Sequence, residues 1–424
     1  MATTEDSGMK ATPAQGSVVR QTELIVSGVL RGGVVVSAAV ILLGIADFYI
    51  RRLTGQLSSG FSQLHSLSGV WSALLQGQPL AIVALGLVIL LATPVLRVAI
   101  SILAFAVERD RAYVLITLLV LIILLFSIFV VGSGSQATLY NLHNSSLLFF
   151  FEMLLSSVAA GLIGALVGLG GGVFIVPILT LIFHVPFGIA IGASIVSVIA
   201  TSSGAAAAYV RDHMTNLRGG RFLEIATTLG AICGALLSAV LNASVLFIVF
   251  GVVLMISALP LVAKLGEELP QGVKDDRFAQ RLRLASTYPD HRMHREVPYQ
   301  VSHVPAGFGM MYVAGLISGL LGIGSGTFKV LAMDTAMRLP MKVSTTTSNF
   351  MIGVTAAASA GIYFQRGDID PLIAAPVALG VLIGATVGAV TLTGLSNVWV
   401  KRIFVPIIVL VALNMLLRGL GLLG

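Results

Sequence analysis

The chain has 424 residues, 57% of them hydrophobic and 10% charged, with a mean hydropathy of +1.00. Soluble domains carry about 25% charged residues, so a soluble globular fold is excluded and a lipid-embedded one implied. The net charge of +7 sits mostly in loops, where positive-inside sorting explains it better than a nucleic-acid partner, and the single cysteine, Cys233, excludes an intramolecular disulfide and a cysteine metal site.

Residues 1–24 are polar, contain Pro13 and Gly16, and read as a mobile tail without a signal-peptide pattern. Residues 25–135 form a module of three apolar spans, 32–50, 79–107 and 113–131. A Ser-, Gly- and Gln-rich stretch separates the first two, and the polar turn Glu108-Arg109-Asp110-Arg111 separates the second from the third. A Gly/Ser/Asn-rich linker closes the module at residue 146.

The remainder is a duplication. GLIGALVGLGGGVFIV from Gly161 aligns with GLISGLLGIGSGTFKV from Gly315, at an offset of 154 residues without gaps to Tyr209 and Tyr363. Further on the offset is 150, and Gly230 and Gly234 match Gly380 and Gly384 with GxxxG spacing. Each copy (147–263 and 305–420) holds five apolar segments, joined by a polar linker over 264–304. The second segment of each copy is only about 12 residues, or ~18 Å of helix, against the ~30 Å of a hydrocarbon core. Basic loops change places between the copies: Arg211, Arg218 and Arg221 face the mixed loop of Arg366, Asp368 and Asp370, whereas Arg338 and Lys342 flank a loop with no basic counterpart. Copies sorted this way point in opposite directions, which requires an odd number of crossings each. The predicted fold is therefore an all-α polytopic membrane protein: an inverted 5+5 helix repeat with short or broken helices, preceded by the three-helix module, about 13 membrane segments in all. The N-terminus and the 264–304 linker are expected in the cytoplasm and the C-terminus outside, with the chain in the cytoplasmic membrane.

Two glycine-rich turns occupy equivalent positions: Gly168, Gly170, Gly171 and Gly172 in the first copy, and Gly322, Gly324, Ser325 and Gly326 in the second. Each interrupts helical sequence and opens the short segment. Backbone N–H groups at such a break can hold an anion, and paired breaks in a duplicated membrane chain point to a binding site; the alternative is a simple turn with tight helix packing. Thr327 and Lys329 follow the second turn, and Ile175 stands where Lys329 would be in the first copy. An intramembrane lysine is expensive, and an anion is its natural partner; the alternatives are snorkelling or pairing with Asp334. Ser194, Thr347, Ser348 and Asn349 could add hydroxyl and amide contacts, or could bond to their own helices. Asp334 is the candidate for a coupling proton. Glu152, Glu224 and His184 lie near segment ends and read as interfacial.

Neither turn is a dinucleotide fingerprint, and HExxH and GxxxxGK[ST] motifs are absent. No enzyme activity, cofactor or metal is expected. The partners expected are the lipid bilayer and a small anionic substrate; a homo-oligomer is compatible with the sequence but not assigned by it.

The segment GLIGALVGLGGGVFIVPIL, the Ser/Ala-rich span after it and the echo GLISGLLGIGSGTFKV resemble the sulfite exporter TauE/SafE family of membrane permeases, over about residues 149–417. The N-terminal module is similar to a three-span domain of unknown function. The resemblance implies transport, commonly export, of sulfite, thiosulfate, sulfonates such as sulfoacetate or related organic anions; the duplicated architecture itself favours alternating access around a midplane site. It carries over only the glycines of the two turns. Ser325 replaces the middle glycine of the second turn, and Leu331 stands where the first copy has Pro177. A passive anion channel and a non-transporting membrane scaffold are the competing readings.

Overall fold

The computed structural model describes residues 13–55, 64, 66–129, 147–167, 171–211, 214–262, 273–290, 295–391 and 397–423. α1 (Pro13–Leu53) starts within the segment expected to be a polar tail. Pro13 suits a first helical position, where its missing N–H costs nothing, and no proline follows until Pro79. α2 (Leu67–Leu75) is short and capped by Ser66, whose Oγ accepts from the Gly69 N–H at 3.0 Å. α3 (Pro79–Val107) begins on a proline and carries Pro94 inside it. A tight turn with Arg109 in the left-handed region (φ 56°) leads to α4 (Arg111–Phe129).

The first copy follows as α5 (Leu147–Val167), α6 (Gly172–Pro177) running into a π-helical turn (Ile178–Ile182), α7 (Phe187–Arg211), α8 (Leu217–Val240) and α9 (Ala243–Val262). The second is α11 (Val304–Leu321), α12 (Gly326–Leu331) with a π-helical turn (Ala332–Ala336), α13 (Met341–Gln365), α14 (Pro371–Thr391) and α15 (Asn397–Gly419). Between them the polar linker folds into α10 (Arg277–Arg281) and an antiparallel hairpin of β1 (Ser286–Asp290) and β2 (Arg295–Tyr299), pairing Ser286 with Tyr299 and Asp290 with Arg295. Side chains tie this unit down. Asp276 caps α10 through the Ala279 N–H at 2.6 Å and also accepts from the Val304 N–H at 2.8 Å. Asn216 caps α8 through the Gly219 N–H at 2.8 Å and donates to Leu284 O at 2.8 Å and Tyr299 Oη at 2.9 Å. Burial pushes the Tyr299 phenol up to about 12, so it stays neutral at physiological pH.

The duplication is visible in backbone detail. His184 and Arg338 occupy equivalent left-handed corners, at φ 53° and 56°. A π-helical turn precedes both, although only the first copy has Pro177, so proline does not cause it. Glycine registers show how the copies are arranged. Cβ atoms at Gly380 and Gly384 would lie 2.5 and 2.0 Å from the Leu154 and Val158 carbonyls, so α14 runs parallel to α5. At Gly230 and Gly234 they would lie 2.1 Å from the Tyr312 and Leu316 carbonyls, so α8 runs parallel to α11 in the same way. The equivalent helices α9 and α15 cross differently: Gly251 meets Ala412 and Leu416, and Gly419 meets Ser244 and Ile248. They therefore run antiparallel. First helix parallel to the other copy's fourth, and fifth antiparallel to fifth, is the signature of two copies inverted with respect to one another.

Among the described residues, seven helices are long and apolar enough to cross a membrane. α13 is more polar, yet twenty of its residues are buried, because it runs through the centre of the bundle against α3, α4, α7 and α8. Large apolar side chains such as Leu43, Leu115, Leu155 and Leu413 point outward, as a lipid-facing surface requires. The linker marks one end of the bundle: Tyr113 Oη donates to Leu282 O at 2.6 Å and the Ser302 N–H to Met337 O at 3.1 Å. Ring contacts of Tyr49 with Phe150 (5.9 Å) and of Phe149 with Phe183 (5.7 Å) mark the opposite end.

Candidate functional site

The two glycine bends meet. From Gly172 to Ile182, α6 and its π-helical turn span about 16 Å of rise, so the bend lies roughly half-way across a ~30 Å core. Ser194 Oγ lies 2.8 Å from Gly322 O and 3.1 Å from Gly172 O, bridging the two copies with one hydroxyl. Ser348, its equivalent, donates to Gly326 O at 3.1 Å. A Cβ at Gly172 would sit 2.6 Å from Val198 and 3.1 Å from Gly322 O, so only glycine permits this approach. In the second bend Gly322, Gly324 and Ser325 all have positive φ (69°, 72° and 49°). The described residues of both bends are buried, and Ser325 Oγ is buried without a hydrogen-bond partner.

Beside the bends is a buried charged group. Lys329 is 0% exposed, and its Nζ donates to Thr355 Oγ1 at 2.8 Å; Thr355 in turn lies 3.1 Å from Thr227 Oγ1. The charges that act on the Lys329 ammonium are those of Glu224 and Arg97. Glu224, also 0% exposed, accepts from Arg221 at 2.7 Å and from Arg97 at 3.3 Å. Arg97 also donates to the Phe350 carbonyl, and Arg221 donates to Ser101 Oγ. Both guanidinium groups stack on the Phe350 ring, at 4.1 and 4.7 Å from its centroid. Among the described residues two guanidinium groups thus share one carboxylate, and Lys329 is held by a hydroxyl.

The structure corrects several sequence expectations. Glu224 is not interfacial: it sits two turns inside α8, paired with two arginines. Arg221 is not a loop residue but lies in α8, one turn from Glu224. Asp334 is half-buried in the π-helical turn, and its five-residue spacing from Lys329 argues against a pairing of the two. Thr347 does not reach the bends: its Oγ1 accepts from the Asn216 N–H at 3.0 Å, while neighbouring Thr346 donates to Met214 O at 2.6 Å, so this pair fastens the loop before α8. Thr327 and Asn349 are half-buried on α12 and α13. Gly168 and Gly170 lie outside the described residues. His184 and Glu152 are exposed near helix ends. The sequence reading missed Arg97. Its signal was present: it is the lone charged residue of an otherwise apolar span from residue 79 to 107, and such a residue is rarely idle.

Inverted copies, central paired bends and a membrane-spanning bundle define the architecture against which known proteins can be compared. Residues 153–415 match the family model described as Sulfite exporter TauE/SafE. The chain belongs to the sulfite exporter TauE/SafE family. Residues 26–129 match a second model, Protein of unknown function (DUF1634). TauE/SafE relatives include the "Probable membrane transporter protein YunE" of Bacillus subtilis (strain 168), 25% identical over 289 residues that cover 64% of this chain and 98% of the relative. Another is the "Probable membrane transporter protein YdhB" of the same organism, 27% identical over 244 residues covering 57% of this chain and 89% of the relative. No solved structure gives a significant match. This TauE/SafE chain is a multi-pass membrane transporter, with its two bends and Lys329 inside the family match and Arg97 outside it.

Proposed function

We propose that the chain is a secondary transporter of a small anion, sulfite or an organosulfonate such as sulfoacetate, exporting it by alternating access around the paired bends. The observation that carries this reading is the convergence of two inverted, glycine-lined bends at mid-depth beside a buried excess of cations. A buried charge without a counter-charge is costly, and a negative solute supplies one. Lys329 would attract the anion, while turn N–H groups and Ser325 Oγ would replace part of its hydration shell. Gly171, Gly172, Ser194, Gly322, Gly324, Gly326 and Ser348 shape the meeting point. Because the bends are buried from both ends, access requires movement of one part of the repeats against the rest. Asp334 is proposed to carry a coupling proton.

Orientation follows from charge. Arg109, Arg111, Arg218, Lys274, Arg277, Arg281, Arg283, Arg338 and Lys342 cluster around the linker end, against Arg51, Arg52, Arg366 and Arg418 at the other. Positive-inside sorting places the linker and the N-terminus in the cytoplasm of a cell whose inner membrane holds the chain.

The test is counterflow in proteoliposomes. Labelled sulfite or sulfoacetate should enter faster when the same unlabelled anion is inside, and Lys329→Ala should abolish this flux in a protein that still purifies as a folded species. Flux without trans-stimulation would identify a channel, and a folded protein with no flux of any tested anion would identify a scaffold.

A further inference from the structure

Three spans outside the TauE/SafE match bring an arginine into the centre of the repeats. We propose that Arg97, supplied by the N-terminal module, is an anion-binding residue of the transport site, and that the site it completes takes a doubly charged oxyanion. The proposal rests on the transport reading above and assigns it a substrate class.

Arg97 is 1% exposed. It is brought inside because α3 packs directly on the helices of both copies: a Cβ at Gly353 of α13 would meet Ser202 of α7 at 2.7 Å and Pro94 of α3 at 3.7 Å. Ser101, one turn further along α3, donates to Arg97 O at 2.9 Å and accepts from Arg221. The α3 segment from Pro94 to Ser101 is thus built into the charged group.

The hydrogen bonds of Arg97 are incomplete. One terminal nitrogen serves Glu224 and the Phe350 carbonyl, whereas Nε is buried without a partner. A guanidinium stays charged in proteins, and its fork of donors matches the paired oxygens of a carboxylate, sulfonate or similar oxyanion. Fastening the module to the repeats would not produce this pattern. A fastener needs a carboxylate for each guanidinium, but here Glu224 is divided between two of them. Lys329 adds a third cation bonded only to a hydroxyl. The formal surplus among the described residues is two positive charges. A singly charged ligand leaves half of it unmatched in a low-dielectric setting, and a doubly charged one balances it.

The experiment compares two sulfonates that differ by one carboxylate, sulfoacetate and methanesulfonate, by calorimetric titration of the full-length protein in nanodiscs. Wild type should bind sulfoacetate about ten-fold tighter or more, because the second charge meets a cation. Arg97→Gln should lower that ratio to within about three-fold of unity, weakening sulfoacetate far more than methanesulfonate. Arg97→Lys, which keeps the charge, should preserve most of the preference. An unchanged ratio in folded Arg97→Gln overturns the proposal. Equal wild-type affinity for the two anions also overturns it, and that measurement holds even if neither variant folds. Absence of any anion binding by wild type removes the transport reading and this inference together, whereas wild-type binding that Arg97→Gln leaves untouched removes only the inference.

Discussion

Glu224 holds the buried charges together, and its removal separates structure from transport. Arg97 and Arg221 each depend on one of its carboxylate oxygens. Glu224→Gln leaves two guanidinium groups and an ammonium facing a neutral amide, and breaking a buried pair costs about 3–5 kcal/mol. The variant should melt well below wild type in detergent. Lys329→Met should melt close to wild type, because it keeps the volume and loses only the bond to Thr355. Equal melting of Glu224→Gln and wild type would remove Glu224 from this role. The contrast also shows what sequence reasoning could reach. Lys329 was legible because it stands alone three residues beyond a glycine turn and has no counterpart in the first copy. Arg97 and Glu224 were not joined, because they are 127 residues apart and only packing of the module on the repeats brings them together.

Helix contacts depend on small residues with backbone against backbone. Gly384 leaves no room for a side chain against Val158 O, whereas a Cβ at Gly309, in the middle of α11, meets nothing within 4 Å. Gly384→Ala should therefore force α5 and α14 apart and lower stability by about 1–3 kcal/mol. Gly309→Ala should raise it by about 0.4–1 kcal/mol through a stiffer unfolded chain. Thermal melting of the purified variants checks both signs, and a stabilised Gly384→Ala would refute the close crossing. The long apolar helices, the GxxxG spacing and the short second segments could be read from sequence, since each is a local pattern. The hairpin of β1 and β2 could not: it is tied down by the Asn216 amide, which donates to Leu284 O just before β1 and to Tyr299 Oη at the end of β2, and no periodicity announces that contact.

The whole bundle has unequal ends, and orientation can be measured on them. In a Cys233→Ser background, Thr287→Cys on the hairpin should resist a membrane-impermeant maleimide in intact cells and react in inverted vesicles. Thr54→Cys after α1 should do the reverse. Both residues are exposed, so failure to react reflects sidedness rather than burial. Labelling of Thr287→Cys from outside would overturn the proposed cytoplasmic linker.

Duplication, membrane residence, five segments per copy and the opposed orientation of the copies all follow from the sequence alone. Each is encoded in composition, in spacing, or in which loops carry arginine and lysine, and the bilayer imposes the rest by forbidding unsatisfied backbone in lipid. Tertiary structure alone decided that the bends touch through Ser194, that Glu224 lies inside, and that the N-terminal module shares its arginine with the repeats. Those facts depend on which helix faces meet, and a buried ion pair between distant segments leaves no local signature in either partner.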